Sequence, residues 1–490
     1  YNAQDVVTEM EDYRRLSAYP VPGWVQDDWV IDYKLNRRGI QLDMDLVRGA
    51  LAIDDQHKTE LVEKAIQITG LTNPNSRNQL LTWINDNSDL KLEKLTKETV
   101  AESLQIAEDQ VAEVLHIRRA LAKSSISKYE SMKNAVCADG RIRGVLQFYG
   151  ANRTGRWAGR LVQVQNLPHD VPVAMDTAIR LVKNGNARGV KLMYGHISTS
   201  LSHLIRAAFV APEGSLLCVS DFSAIEARVL SWLADEKWRQ DVFAKGGDIY
   251  CASASSMFGV PVEKHGINGH LRQKGKVAEL ALGYQGGPPA LITMGALKQG
   301  LTEDELPDIV HRWRGANPRI CGLWYDVDGA ALSVMSDARP VGLPHGILIS
   351  RECNLLYGYD YLTIQLPSGR KLYYPQPYIN ENQFGKPALH YRVQAGIKWS
   401  HTSTYGGKLV ENITQAIARD CLALAINRLV KAGYKPLMHI HDEVVLEVPK
   451  DKIHEDEIDR INQIMCAPIP WAPGLLLNAD GFISPYYTKD

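Results

Sequence analysis

The spacing of apolar and polar positions divides the chain into helical and strand-like stretches. From about Trp29 to Val136, apolar residues recur at helical intervals between polar faces. Asn73-Pro74-Asn75-Ser76 adds a helix-start signal before Leu80 and Leu81. This predicts an elongated helical subdomain. Between Gly140 and Pro168, glycines and basic residues replace that rhythm and predict extended chain and turns. Ser215-Leu216-Leu217-Cys218-Val219 is a short apolar run of strand type, followed by Ile225, Val229, Leu230 and Leu233 at helical spacing.

Residues 236–340 read as mainly helical, with a Gly-Gly-Pro-Pro break at 286–289. Tyrosine-rich alternation predicts strands between 351 and 399, among them Leu372-Tyr373-Tyr374. A long helix over roughly Glu411–Ala432 precedes Leu437-Met438-His439-Ile440, a tight turn, and Val444-Val445-Leu446-Glu447-Val448. That last element is a β-hairpin with His441, Asp442 and Glu443 at its bend. Residues 1–29 end in a loop punctuated by Pro20, Pro22 and Gly23. No internal repeat or low-complexity tract interrupts the pattern.

A chain of 490 residues exceeds what one core supports and implies roughly two to four domains. The 45% hydrophobic and 23% charged content is that of an ordinary soluble globular protein. No apolar run is long enough for a transmembrane helix, so no membrane partner is expected. The start Tyr1-Asn2-Ala3-Gln4-Asp5 has neither Met nor a signal-peptide pattern, which suggests a piece of a longer protein. Seven scattered cysteines without a C-x-x-C pair argue against a disulfide framework or structural zinc and favour a reducing, cytoplasmic setting.

Net charge is −1, so clustering matters more than balance. Ten basic residues lie between Arg118 and Arg160 against two acidic ones, whereas Asp442 to Asp459 carries eight acids against two lysines. Such runs are often merely solvated faces. The basic one is also rich in Gly, Ser, Thr and Asn donors, as a phosphate-tracking surface would be.

Two carboxylate-bearing segments follow strand-like runs: Ser220-Asp221-Phe222-Ser223-Ala224-Ile225-Glu226-Ala227-Arg228 and His439-Ile440-His441-Asp442-Glu443. Asp221 can point off a strand end, with Glu226 on the first turn of the next helix. Either acid alone is explained as a helix cap, and Asp442 alone as a hairpin-bend acid. Brought together, Asp221 and Asp442 make a site for paired divalent metals, the usual equipment for in-line attack on a phosphate. An H-x-H metal pair at His439 and His441 lacks an evident third ligand.

Arg272, Lys276, Leu280 and Tyr284 are spaced by four. On a helix each such step advances about 40°, giving one winding stripe. Two cations, an apolar residue and an aromatic suit a nucleotide lying lengthwise. An ordinary amphipathic helix with solvated basic residues gives the same spacing.

Together these segments resemble the family A DNA polymerases, with phage and prophage members closest in texture. Asp-Phe-Ser-x-Ile-Glu-x-Arg at 221–228 is similar to the family's first palm motif, Arg-x₃-Lys-x₇-Tyr at 272–284 to its fingers helix, and His-Asp-Glu at 441–443 to its second palm motif. Thr154-Gly155-Arg156 and Gln165-Asn166-Leu167-Pro168 resemble the primer-template minor-groove segment.

The resemblance implies an α+β, right-hand polymerase architecture with an antiparallel-sheet palm, helical thumb and helical fingers. Residues 1–29 would be the remnant of an upstream exonuclease domain, 30–140 the thumb, 141–235 with 400–490 the palm, and 236–399 the fingers. It further implies a template-directed, two-metal DNA polymerase using Mg²⁺, with Mn²⁺ able to substitute. Asp221, the Phe222 carbonyl and Asp442 would hold the metals. Arg272, Lys276, Leu280, Tyr284, Glu226 and Tyr250 would meet the nucleotide, with Glu226 excluding a 2′-hydroxyl. Arg156, Gln165, Asn166, Arg206, Gln415, His441 and Glu443 would meet DNA. Expected partners are primer-template DNA and deoxynucleoside triphosphates, acting on a monomer inside a cell, such as a phage-infected bacterium. A processivity factor is left unspecified.

The departures from the family pattern are Leu280 in place of Phe or Tyr, Tyr250 in place of a phosphate-contacting His, and Ala224 in place of Gln. Tyr1-x₃-Asp5 has the form of the last proofreading motif, but the other carboxylates of such a site are absent, so no 3′–5′ exonuclease activity is expected of this chain. A single-subunit RNA polymerase is disfavoured by Glu226 and by the His-Asp-Glu hairpin. A metal-dependent nuclease does not need the Arg272–Tyr284 stripe. A non-catalytic DNA-binding module would not need the paired acids at all.

Overall fold

The computed structural model describes residues 2–17, 21–122, 126–168, 170–354, 358–396 and 398–489. Tyr1 and Pro20, both used above, lie outside them. Asn2–Leu16 forms a helix that buries none of its residues.

The centre is a four-stranded antiparallel sheet in the order Lys435–Ile440, Glu443–Pro449, Ser215–Phe222, Ala479–Ser484. Successive side chains of a strand point to opposite faces, so this sheet feeds two cores at once. Cys218, Val444, Leu446 and Val448 join the core shared with the helices of residues 225–334. Leu217, Val219, Val445 and Met438 join a second core, with the helix Met44–Thr69 and the strand Ile40–Leu42. Charged residues of this sheet therefore lie near its strand ends and turns, except Glu447, which pairs with Arg141 from inside its strand.

Helices Met44–Thr69, Arg77–Asp86, Lys97–Ser103, Asp109–Leu121 and Ser127–Ala135 make the expected helical subdomain. Its tip has a small core of its own around Leu80, Ile84, Val111 and Leu115. Asn73-Pro74-Asn75-Ser76 acts as read: Ser76 caps the helix by accepting from Gln79 N–H.

Two expected boundaries each cut an element. The 29/30 division falls inside the helix Gly23–Arg38, which is anchored from the far end of the sequence: Asp28 accepts from Arg419 at 3.2 Å and from Asn427 at 2.7 Å. The 399/400 division falls inside the strand Lys398–Ser403. The 236–399 stretch is helical only to Asp337; seven strands follow between 341 and 403, forming two antiparallel sheets.

The long helix begins earlier than its periodicity suggested, at Gly406, and runs to Lys431 through the main core. Its start needs glycine because a Cβ at Gly407 would run into the Tyr284 carbonyl. Close approach of this kind brings the segment after the helix Arg272–Leu282 against the sheet-bearing half. Gly275 does the same for the helix Ile249–Phe258, whose Tyr250 carbonyl occupies the place of a Cβ.

Candidate active site

Asp221 is the next-to-last residue of its strand. The register sets it between Glu443 on one neighbour and Asp480 on the other. Asp442 occupies the two-residue bend with His441, which sits at a left-handed φ of 55°. The Phe222 N–H donates to the Asp442 carbonyl at 3.2 Å, tying the bend to the end of the Asp221 strand. The two aspartates, 221 positions apart in the sequence, thus line one cleft. The cleft encloses roughly 350 Å³, and Glu226, Tyr250, Leu280, Tyr284 and His441 line it as well.

Four acids here face two cations. Arg156 donates to Glu226 Oε1 at 2.7 Å and lies 3.9 Å from Asp442 Oδ1. Lys489 donates to Asp221 Oδ2 and to Glu443 Oε2, each at 2.8 Å. Burial pushes the Asp442 carboxyl up to about 7, with help from Glu226 and Asp221 and against the pull of Arg156 and Lys489. Burial likewise raises Glu443, and Lys489 opposes it. The site has more acid than its own cations neutralise. Hard oxygen donors with uncompensated charge are the donor set that suits Mg²⁺ or Mn²⁺. Among the described residues, no cluster of three or more His, Cys, Asp or Glu side chains is arranged to hold a metal unaided.

Glu226 is held from two sides, by Arg156 and by the Tyr284 hydroxyl, which donates to Oε2 at 2.9 Å. Burial and Glu226 hold the Tyr284 phenol well above its ordinary range. The helix carrying the expected stripe ends at Leu282, so Tyr284 sits in the following turn and not on the helix; Trp324 Nε1 fixes that turn by donating to the Gly283 carbonyl at 2.9 Å. Arg272 donates to Asp248 at 2.7 Å, and its guanidinium lies 5.3 Å from the Tyr250 ring. Lys276 approaches the same ring at 6.0 Å. Leu280 is 44% exposed in the cleft.

Behind this helix, Glu279 is buried and bound by Arg239, Ser253 and Trp313. Removing one partner of such a buried pair typically costs about 3–5 kcal/mol, so the network holds the helix in place.

The turn before Arg156 is held by two buried arginines. Arg370 donates to the Thr154 carbonyl at 2.8 Å and Arg419 to the Gly155 carbonyl at 3.2 Å. Arg419 also lies 4.4 Å from the Trp157 ring. The basic run is thus largely spent on the protein itself: Arg141 pairs with Glu447 of the acidic run at 2.7 Å, and Arg143 with Asp139.

Arg206 and Glu443, both expected at the DNA, are buried and bonded within the protein. Arg206 is 2% exposed and donates to the Leu167 and Pro168 carbonyls and to the Tyr487 hydroxyl. Tyr487 donates to Glu443 Oε1 at 2.6 Å, and Glu443 is 1% exposed. A continuous chain of hydrogen bonds therefore runs from the 165–168 segment through Arg206, Tyr487, Glu443 and Lys489 to Asp221. His441 Nε2 adds a bond at 2.9 Å to the Gln165 carbonyl. Asn166 is exposed, and Gln415 bonds Glu411 on its own helix. Asp480, Tyr487 and Lys489 had no signal in the sequence; strand pairing brings in Asp480, and the stretch after that strand carries Tyr487 and Lys489 to the site.

The chain matches the model of DNA polymerase family A over residues 52–303. It is 49% identical to the DNA polymerase of Bacillus phage SP02 across 100% of its own length and 74% of that protein. It is 25% identical to the thermostable DNA polymerase I of Thermus thermophilus over 86% of its length, spanning 42% of that longer relative. The POL domain of Pol1 from M. smegmatis, in a complex with DNA primer-template and dNTP, superposes with a TM-score of 0.63 at 18% identity, covering 92% of this chain and 68% of that one. That likeness shows a shared fold. Among the described residues no helix is long and apolar enough to cross a membrane.

Proposed function

The chain belongs to DNA polymerase family A, and from that premise we propose that its cleft performs template-directed addition of deoxynucleotides to a primer 3′-hydroxyl. The observation that carries the reading is the meeting of Asp221 and Asp442 in one cleft with Glu226, Leu280 and Tyr284. Acids for phosphoryl transfer and a surface for a nucleotide occur together there, which a nuclease or a binding module would not require.

Polymerases of this family depend on metal ions. Asp221, the Phe222 carbonyl and Asp442 would hold two Mg²⁺, which when bound lower the pKa of the primer hydroxyl and neutralise triphosphate charge. Lys489 keeps Asp221 oriented through Oδ2. Lys276 and Arg272 would grip phosphate oxygens. Arg272 bonds Asp248 through Nε, so its Nη groups would be the ones to meet phosphate oxygens. Tyr250, stacked beside both cations, keeps them side by side.

Glu226, fixed by Arg156 and Tyr284, forms a rigid wall where a 2′-hydroxyl would project. Tyr284 would stack at the nascent pair. Arg156, Gln165, Asn166, Gln415 and His441 would contact the duplex beside the primer end, where minor-groove acceptors are similar for all pairs. Arg206 and Glu443 act through the chain of bonds to Asp221 and not by touching DNA. In this reading the helices of residues 30–140 are the thumb, the central sheet the palm and the 236–399 region the fingers.

Primer extension on a defined template tests this. Addition of the complementary deoxynucleotide is expected; incorporation of ribonucleotides with equal efficiency would instead support an RNA polymerase, and degradation without addition a nuclease.

A further inference from the structure

Beneath the strand Arg156–Gly159 lies a buried group of charges drawn from three other parts of the chain. Arg419 and Asp420 come from the helix Gly406–Lys431, Asp28 and Asp32 from the helix Gly23–Arg38, and Arg370 immediately precedes the strand Lys371–Pro375. Arg370 donates to Asp420 at 2.7 Å, Arg419 to Asp28 at 3.2 Å, and Trp157 Nε1 to Asp32 at 2.8 Å. Arg419 is 2% exposed, and its guanidinium lies 4.4–5.3 Å from the rings of Trp157, Tyr149 and Phe148. Its Nη2 has no hydrogen-bond partner among the described residues.

Stability alone is a poor account of this arrangement. Apolar side chains of similar volume often replace a buried ionic group without loss, and an orphaned donor adds a cost. What charged hydrogen bonds add over apolar packing is direction. Here they end on consecutive carbonyls, Arg370 on Thr154 and Arg419 on Gly155. A Cβ at Gly155 would run into Arg370 Nη1, so that guanidinium sits directly against the turn. Successive residues of a strand point to opposite faces, so Trp157 enters the buried group while Arg156 is turned to the cleft. There Arg156 meets Glu226 at 2.7 Å and Asp442 at 3.9 Å.

We propose that Arg419, Trp157 and Asp32 are positioning residues for Arg156 and, through it, for Glu226. The choice of sugar then depends on residues that do not touch the nucleotide, a consequence that rests on the polymerase reading above. Arg419 reaches both sides of Arg156. Its Nε holds the carbonyl before it, and its guanidinium packs on the ring after it. A lysine keeps the charge but lacks the planar fork that does both.

The test is single-turnover addition of a deoxynucleotide and of its ribonucleotide counterpart by Arg419→Lys. Backbone hydrogen exchange of residues 150–157 is followed alongside in the intact chain. Exchange is expected to quicken there about tenfold and to hold at residues 215–222. Deoxynucleotide addition should slow about tenfold while ribonucleotide addition keeps its rate, so discrimination falls about tenfold. Trp157→Phe keeps a ring beside Arg419 and removes the bond to Asp32. It should act in the same direction, by about threefold, and decides alone should Arg419→Lys fail to fold. In the Glu226→Ala background, Arg419→Lys should remove no further discrimination. Equal slowing of both nucleotides, or a further loss without Glu226, overturns the proposal, as does unchanged exchange. If the parent extends no primer, the polymerase reading fails by itself, and faster exchange at 150–157 still supports the hold of Arg419 on Arg156.

Discussion

Lys489 bonds Asp221 at 2.8 Å although 268 positions separate them. The same ammonium is the cationic partner of buried Glu443. Its removal would free Asp221 to rotate and leave Glu443 unpaired. Lys489→Met is expected to lower the extension rate by about tenfold to a hundredfold, as loss of a residue that orients a metal ligand does. It should also weaken Mn²⁺ binding measured by electron paramagnetic resonance. Lys489→Arg should restore part of both; parental values in Lys489→Met would remove its positioning role.

Glu226 is braced by Arg156 and Tyr284, so its position is fixed before any nucleotide arrives. Glu226→Ala opens the space where a 2′-hydroxyl would lie. Relative incorporation of ribonucleotides is expected to rise about a hundredfold, since discrimination against one hydroxyl by shape is of that order. Competition between a ribonucleotide and its deoxy counterpart measures it.

Leu280 offers the cleft an apolar side chain with no hydroxyl. Leu280→Tyr is expected to increase dideoxynucleotide incorporation relative to the parent, read from termination ladders. Unchanged discrimination would take Leu280 away from the sugar.

Two buried groups beneath the Arg156 hairpin respond to pH in opposite senses. Burial, with Arg419 nearby, pushes His439 from 6.5 down to about 3. The unfolded chain therefore takes up its proton first, and stability is lost as pH falls below about 6.5. Burial raises Asp32 from 3.8 to about 6, so the folded state binds that proton first and stability is gained on the same descent. Between pH 7 and pH 5 these amount to about 2 kcal/mol lost and about 1 kcal/mol gained. Urea unfolding should show His439→Leu less sensitive to acid over this range, and Asp32→Asn more sensitive, than the parent.

Local pattern carried much of this site. A strand handing over to a helix at Asp221 and a hairpin bend at Asp442 are both legible from period and turn residues. What local pattern cannot give is direction and distant pairing. Arg206 and Glu443 are polar residues of the kind that meets DNA, yet both are turned inward, because their partners Tyr487 and Lys489 come from the stretch after the strand Ala479–Ser484, which no spacing connects to them. Likewise the first two turns of the helix Gly23–Arg38 were read as part of the punctuated 1–29 stretch, since the anchors of Asp28 lie on a helix near the other end of the sequence. The basic run looked free because its acidic partner Glu447 is 306 positions away from Arg141.

The central claim is that Asp221 and Asp442 act together on a phosphate. Single-turnover primer extension by Asp221→Asn and Asp442→Asn, with primer-template affinity measured alongside, tests it most directly. Both substitutions keep the side-chain shape and remove the charge. The account predicts a loss of about a thousandfold or more in the rate of addition, with affinity for DNA changed only a few-fold. Addition at the parental rate by either variant would contradict it.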